Sequence, residues 1–456
     1  MITRFLLALL TGAAMSHADT PNIVLFYADD LGYTDLSCQG SKYYETPNID
    51  RLAKEGTTFT QAYAGAANCA PSRACLMTGS YTPRHGIITV GNSDRGNAKD
   101  RQLIPIANKT ILDSKFITIA EALKKQGYRT CVAGKWHLSE DPTKDGFDSN
   151  FGGTTWGHPK SYFAPYKNPY LKDGPKGEHL PERLGREVAG WIKKNATTPF
   201  FVYLPFYSVH TPIQAPEKLA QKYQGKKSDG GHNNPKYAAM IESMDSAVGQ
   251  VLNTLDELEL TKDTLVIFTS DNGPLGGISA ADPLRGSKGM FYEGGIREPF
   301  LVRFPGRTPE GVKNDSVISQ IDLFPTFLEI TGGKVEQTLD GTSILSALHG
   351  ETLPERSLFW HFPAYLQGQK NLSGSASKIF RTTPCSVIRK GDWKLIQYFE
   401  GNILELYNLA TDPGEIQDLA RENPEKAAIL FEELQAWQSK TKAPIPTEKN
   451  PQYQGK

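Results

Sequence analysis

Asn22–Ala28 reads NIVLFYA and runs directly into Asp29-Asp30. A nearly unbroken apolar run of this length is a strand buried on both faces, as inside a parallel sheet. Its carboxyl end is where an open α/β sheet gathers its ligands. Three further apolar runs end the same way. Arg129–Ala133 leads into Gly134-Lys135-Trp136-His137, Phe200–Leu204 toward His210, and Thr264–Ser270 into Asp271-Asn272-Gly273. As parallel neighbours, these four strands would bring carboxylates, an amide, a lysine and two histidines to one crevice.

Helical segments separate the strands. Pro47–Glu55 has Thr46 to cap it, Pro47 at its first position and Gly56 to end it. Ile117–Gln126 stops at Gly127, and Lys236–Leu258 carries Ala239, Ile241, Met244, Val248, Val251 and Leu255 at roughly helical spacing. Phe300–Arg303 adds a strand. The alternation predicts an α/β fold with a large, mostly parallel sheet flanked by helices. Beyond residue 350 the pattern changes. Leu358–His361, Ser386–Arg389, Trp393–Phe399 and Leu404–Asn408 read as a smaller antiparallel sheet, and Pro424–Lys440 as a terminal helix. The expected units are a catalytic domain over 19–350 and an α+β subdomain over 351–456, ending in a loose polar tail.

The chain has 456 residues, with 50 Lys plus Arg against 50 Asp plus Glu, so no basic field exists to hold nucleic acid. Arg4, the apolar Phe5–Leu10 and Ser16-His17-Ala18 form a secretory signal peptide over 1–18, too short to span a bilayer. No other apolar run is long enough to cross a membrane, so an exported protein, periplasmic or secreted, is expected. Five cysteines leave at least one unpaired in that setting.

One cysteine stands in Cys69-Ala70-Pro71-Ser72-Arg73. Pro71 favours a first helical turn, which places Cys69 where backbone N–H groups and the helix dipole attract an anion. Arg73, one turn on, points back at the same place. Asp29, Asp30, Asp271 and Asn272 form an all-oxygen set suited to a hard divalent cation, Ca²⁺ or else Mg²⁺. Three carboxylates in one crevice repel one another without a cation.

With these residues the chain resembles the type I, formylglycine-dependent sulfatases of the alkaline phosphatase superfamily. The resemblance spans nearly all of the mature chain. It rests on Pro21–Asp30 (PNIVLFYADD), Thr46–Gly56 (TPNIDRLAKEG), the Cys69 signature, Tyr81–Ile87 (YTPRHGI), Gly134–Leu138 (GKWHL), Ser270–Gly273 (SDNG), Leu284–Glu298 (LRGSKGMFYEGGIRE) and Leu406–Leu419 (LYNLATDPGEIQDL). It implies that a separate maturase oxidises Cys69 to Cα-formylglycine. Ser80 stands where the extended signature usually has Arg, a change expected to make conversion less complete.

The resemblance also implies roles. The hydrated aldehyde attacks sulfur with one hydroxyl and expels sulfate through the other. Asp29, Asp30, Asp271 and Asn272, with an oxygen of modified Cys69, bind the cation. Lys135 neutralises sulfate oxygens, Arg73 holds the hydrate, and His137 takes the proton that releases sulfate. His210 and Lys288 face the leaving oxygen. His85 supports the site without acting in it.

The substrate is expected to be a sulfated carbohydrate. Phe151, Trp156, Tyr162, Phe163, Tyr166 and Tyr170 fall within twenty residues, either to stack on a sugar ring or to pack against the domain itself. His158 and His361 are candidate hydroxyl readers. The alternatives are a phosphonate or phosphodiester hydrolase with the same formylglycine site, and a catalytically silent carbohydrate-binding relative.

Overall fold

The computed structural model describes residues 20–368 and 374–455; the signal peptide expected over 1–18 lies outside the described residues. Eight strands form the main sheet. They are β1 (Asn22–Ala28), β2 (Thr57–Tyr63), β3 (Arg129–Ala133), β4 (Ser149–Phe151), β5 (Phe200–Pro205), β6 (Thr264–Ser270), β7 (Phe300–Arg303) and β8 (Val312–Ser319). Their order is β4-β3-β5-β1-β6-β7-β2-β8. Only β7 runs against its neighbours β6 and β2.

The central strands are buried on both faces, which is why their sequences are continuously apolar. Val24 and Phe26 face one core with Val202, Leu204, Val266 and Phe268, where the helices Leu180–Asn195 and Pro235–Glu257 pack. Ile23, Leu25 and Tyr27 face a second core with Phe201, Tyr203, Leu265 and Ile267, covered by the helices Cys69–Thr78, Ile119–Lys125 and Leu323–Thr331. Each such apolar side chain contributes about 1.5–3 kcal/mol on burial. The register aligns the strand ends that matter: Ala28 pairs with Ser270, Tyr27 with Pro205, and Val132 with Tyr203.

The helix Pro47–Lys54 forms, but its cap differs from the expected one. The Thr46 hydroxyl donates to Asp50 and accepts from the Ser37 amide, while Asp245 accepts the helix N–H groups of Asn48 and Ile49 at 3.2 and 2.7 Å. A buried carboxylate from another helix outcompetes the local hydroxyl.

A second sheet is antiparallel. It has β9 (Ser357–Phe362), β12 (Cys385–Lys390), β13 (Trp393–Tyr398) and β14 (Ile403–Asn408) in the order β14-β13-β12-β9, beside a small hairpin of β10 (Leu366–Gln367) and β11 (Phe380–Thr382). The helix Pro424–Thr441 lays Leu430, Leu434 and Trp437 against it; the Trp437 and Phe359 rings stack at 4.8 Å. The final segment is not a loose tail. Ile104 N–H donates to the Glu448 carbonyl and Asn450 N–H to that of Gln102, while the Asn450 side chain reaches the carbonyls of Ala98 and Arg101. Its polarity serves backbone pairing. All five cysteines are free thiols. Among the described residues, no helix is long and apolar enough to cross a membrane.

Candidate active site

The aligned strand ends deliver Asp29 and Asp30 after β1, Lys135 and His137 after β3, His210 beyond β5, and Asp271 and Asn272 after β6. Cys69 opens the helix Cys69–Thr78 above them and is 1% exposed. Oxygens of Asp29, Asp30 and Asp271 and the Cys69 sulfur all lie within 4.8 Å of one another. Asp30 and His137 hold positive φ, 59° and 67°, so that a chain leaving a strand turns its side chain back toward this point. The Asp30 amide in turn donates to Asp271 Oδ1 at 3.1 Å.

Each carboxylate has a cation beside it, and Arg73 Nη2, bonded to Asp271, also lies 3.7 Å from Asp29 Oδ1. Arg73 is fully buried; its Nε and Nη2 both bond Asp271 Oδ2, at 3.1 and 2.7 Å, and its Nη1 donates to the Lys135 carbonyl. Lys135 Nζ donates to Asp29 Oδ2 at 2.7 Å. Lys288 Nζ donates to Asp30 Oδ2 at 2.7 Å and lies 3.2 Å from Cys69 Sγ. Asn272 Nδ2 donates to Asp30 Oδ1 at 2.8 Å. Even so, Asp29 Oδ1 and Asn272 Oδ1 are buried with no partner among the described residues. Two orphaned oxygens beside two more carboxylates fit a hard divalent cation.

Electrostatics agree with that crowding. Burial, with Asp271 and Asp30 nearby, pushes the Asp29 carboxyl up to about 8 against the pull of Lys135. Burial acts on Asp30 in the same direction, but Lys288 and His210 outweigh it and hold that carboxyl low. Burial pushes the Cys69 thiol above its ordinary value although Lys135 and Lys288 oppose it. An unmodified Cys69 is thus a protonated, weakly nucleophilic thiol. Burial, then the charges of Lys135 and Arg73, hold His137 well below its ordinary value, and burial takes His210 down to about 3. His210 Nδ1–H donates to the Thr211 carbonyl at 2.8 Å, leaving Nε2 open, 3.6 Å from Asp30. The Tyr162 hydroxyl fixes the same turn by bonding the His210 carbonyl at 2.8 Å.

A cavity of about 400 Å³ opens above Cys69, with His137, His158, His210 and Lys288 on its wall. His158 is therefore where a substrate reader would stand, its ring stacked on His210 at 6.3 Å. His361 is not. It sits on β9 inside the second sheet, bonding Ser386 Oγ at 2.7 Å and the Pro444 carbonyl at 3.1 Å. Both ring nitrogens are consumed by the fold. The aromatic run divides likewise: Tyr162 and Tyr166 are core, Phe163 packs on His179 at 5.0 Å, and Trp156 lies under Lys160 at 4.3 Å. His85 is buried against Cys75 Sγ at 3.4 Å, away from the pocket. Arg95 and Arg381, also on the cavity wall, escaped sequence reading because each stands in a segment without a motif.

Comparison with known proteins identifies the family. The family profile described as "Sulfatase" matches residues 21–333, and that described as "N-sulphoglucosamine sulphohydrolase, C-terminal" matches 287–441. A "Sulfatase" of Formosa agariphila is 36% identical, over 93% of this chain and 90% of that protein. The N-acetylgalactosamine-6-sulfatase of Homo sapiens is 32% identical, over 75% of this chain and 68% of its own length. The crystal structure of Ps i-CgsB in complex with k-i-k-neocarrahexaose superposes with a TM-score of 0.75 at 30% identity, covering 92% of each chain. The chain belongs to the sulfatase family, within the alkaline phosphatase superfamily, and is a sulfuric ester hydrolase.

Proposed function

We propose that this protein removes O-sulfate esters from a sulfated carbohydrate, outside the cytoplasm, after a maturase has converted Cys69 to formylglycine. The observation that carries the reading is the sulfur of Cys69 set among three carboxylates and two lysines at the floor of an open pocket. A plain thiol held protonated by burial has no chemistry to offer there. The hydrate of the aldehyde would supply an attacking hydroxyl and a second hydroxyl to release sulfate.

Asp29, Asp30, Asp271 and Asn272 would hold the cation, Ca²⁺ or Mg²⁺, whose charge offsets that of sulfate oxygens. Arg73, immobilised by Asp271 and the Lys135 carbonyl, positions the modified side chain. Lys135 counters sulfate charge as it develops. His137 stays neutral and its Nδ1 has no partner among the described residues, which suits it to accept a proton. His210 through its open Nε2, and Lys288 through its ammonium, face the leaving oxygen, and one of them protonates it. The human N-acetylgalactosamine-6-sulfatase and the Ps i-CgsB complex with neocarrahexaose support a sulfated saccharide as substrate. We also propose 19–350 as the catalytic unit and 351–456 as its supporting subdomain.

Mass spectrometry of intact protein tests maturation: active enzyme should be lighter by the change from CH2SH to CHO at Cys69. Cys69→Ala should lower kcat/KM on 4-nitrophenyl sulfate by at least about 10³-fold, the scale of losing a covalent nucleophile. A fully active preparation with an intact thiol overturns the reading. So does turnover of an aryl phosphodiester far above that of the aryl sulfate.

A further inference from the structure

The pocket carries two cations with no direct carboxylate partner among the described residues. Arg381 stands on β11 and is 8% exposed. Its Nη1 donates to the Lys288 carbonyl at 3.2 Å, and its buried Nε has no partner among the described residues. Gly289 makes room for it: a Cβ there would lie 2.8 Å from Arg381 Cδ and 2.2 Å from Leu366. Arg95 comes from a different loop and, among the described residues, spends only Nη1 on protein, on the Val90 carbonyl at 3.3 Å. The two segments are docked together. Tyr365 N–H donates to the Ser93 carbonyl at 2.8 Å, and a Cβ on Gly96 would come within 2.6 Å of the Phe380 ring.

Among the described residues, no carboxylate lies within 4.0 Å of either guanidinium; the adjacent Asp94 turns to Arg101 instead. Among the described residues, the cavity wall itself contains no Asp or Glu. Burial, and then the charge of Arg95, bring Arg381 down to about 10, so it remains a cation at neutral pH. Two partly desolvated cations side by side are costly unless an anion joins them. On the reading above, Lys135 already serves the sulfate under attack and Lys288 its leaving oxygen.

We infer that Arg95 and Arg381 bind a second anionic group of the saccharide, a sulfate ester or a carboxylate near the scissile sulfate, so that multiply charged substrates are selected. This rests on the sulfatase reading above and adds a specificity site to it. Planar guanidinium forks match both kinds of anion.

The test compares kcat/KM on N-acetylgalactosamine 6-sulfate, its 4,6-disulfate, and a disaccharide in which the 6-sulfated sugar adjoins a uronic acid. Native enzyme should prefer at least one doubly anionic substrate by about tenfold or more, the scale of one charge-assisted hydrogen bond. The disulfate and uronate arms identify which anion is read. The preference should shrink with added salt. Arg95→Gln and Arg381→Gln should each reduce the ratio at least about fivefold, mainly through KM, and Arg95→Lys should restore part of it. Arg95 is only partly buried, so its variants serve even where Arg381→Gln fails to fold. Titration calorimetry of the Cys69→Ala protein with the same three saccharides gives the ratio independently of turnover. No preference in native protein, or a ratio indifferent to both arginines, overturns the inference. Absence of turnover on 4-nitrophenyl sulfate by native enzyme would instead overturn the sulfatase mechanism and leave the binding ratio to be judged separately.

Discussion

Asp30 and His137 occupy left-handed backbone positions that side chains other than glycine adopt at a cost of roughly 1–3 kcal/mol. The chain bears that cost where a strand end must aim a functional group at Cys69. Asp29 shows a related conflict. Without a cation, burial and its acidic neighbours favour its protonated form, so the stability it contributes is present below 3.8 and is lost as the pH rises toward about 8. Asp29→Asn removes the charge while keeping an acceptor for Lys135. At pH 7, chelated D29N should melt no lower than chelated native protein. Restoring Ca²⁺ should raise the Tm of the native protein and leave that of D29N nearly unmoved, with activity following the Tm. Calorimetric scans before and after back-addition decide this. A D29N protein that keeps the full Ca²⁺ shift removes Asp29 from the ion site.

At the level of elements, β1, β5 and β6 were legible because burial on both faces leaves a nearly continuous apolar run, and β3 because its buried half, Cys131–Ala133, is apolar. The site was legible for the same reason, since its polar residues stand at the ends of those runs. The elements that escaped are those whose sequence answers to other demands. β2 reads TTFTQAY and β8 reads VKNDSVIS; β8 is an edge strand with an exposed first half, so neither shows a hydrophobic pattern. The helix Leu180–Asn195 contains Gly185, which looks like a breaker. There the missing Cβ lets the helix press on its neighbour: a Cβ would lie 3.0 Å from Ala247 Cα. Lys394 on β13 was equally unreadable, because its partners are distant in sequence. Fully buried, it donates to Glu293 at 3.0 Å and forms an ion pair with Glu415 at 2.8 Å, tying the second sheet to the glycine-rich segment after Lys288. Burial raises Glu415 to about 7, whereas at Glu293 Lys394 and Arg297 outweigh burial and hold the carboxyl low. Lys394→Met would strand two carboxylates in an apolar interior. It should cost about 3–5 kcal/mol in urea unfolding. A loss below about 1 kcal/mol would mean that water reaches the pair.

The molecule as a whole is stapled by neutral histidines far from the pocket. Burial takes His85 down to about 3, and His179 and His361 down to about 4. His179 joins the start of the Leu180–Asn195 helix to Ser243 and the Gln214 carbonyl. His361 joins β9 to β12 and to the segment after the last helix. In both, Nε2–H donates to a carbonyl and Nδ1 accepts a hydroxyl, so a second proton on the ring breaks a bond and charges a buried site. The unfolded chain binds those protons near pH 6.5 and the folded chain does not. Their stabilising contribution is thus complete above about 6.5 and falls with decreasing pH, by roughly 1.4 kcal/mol per pH unit for each histidine. Because the three lie in different parts of the fold, acid should unfold both sheets in one transition. His361→Gln retains a donor for Pro444 and an acceptor for Ser386 but takes up no proton. Between pH 6.5 and 4.5, the unfolding free energy of H361Q should fall less steeply than that of native protein, by about 1.4 kcal/mol per pH unit. Parallel slopes for the two proteins would show that His361 is not a source of acid sensitivity.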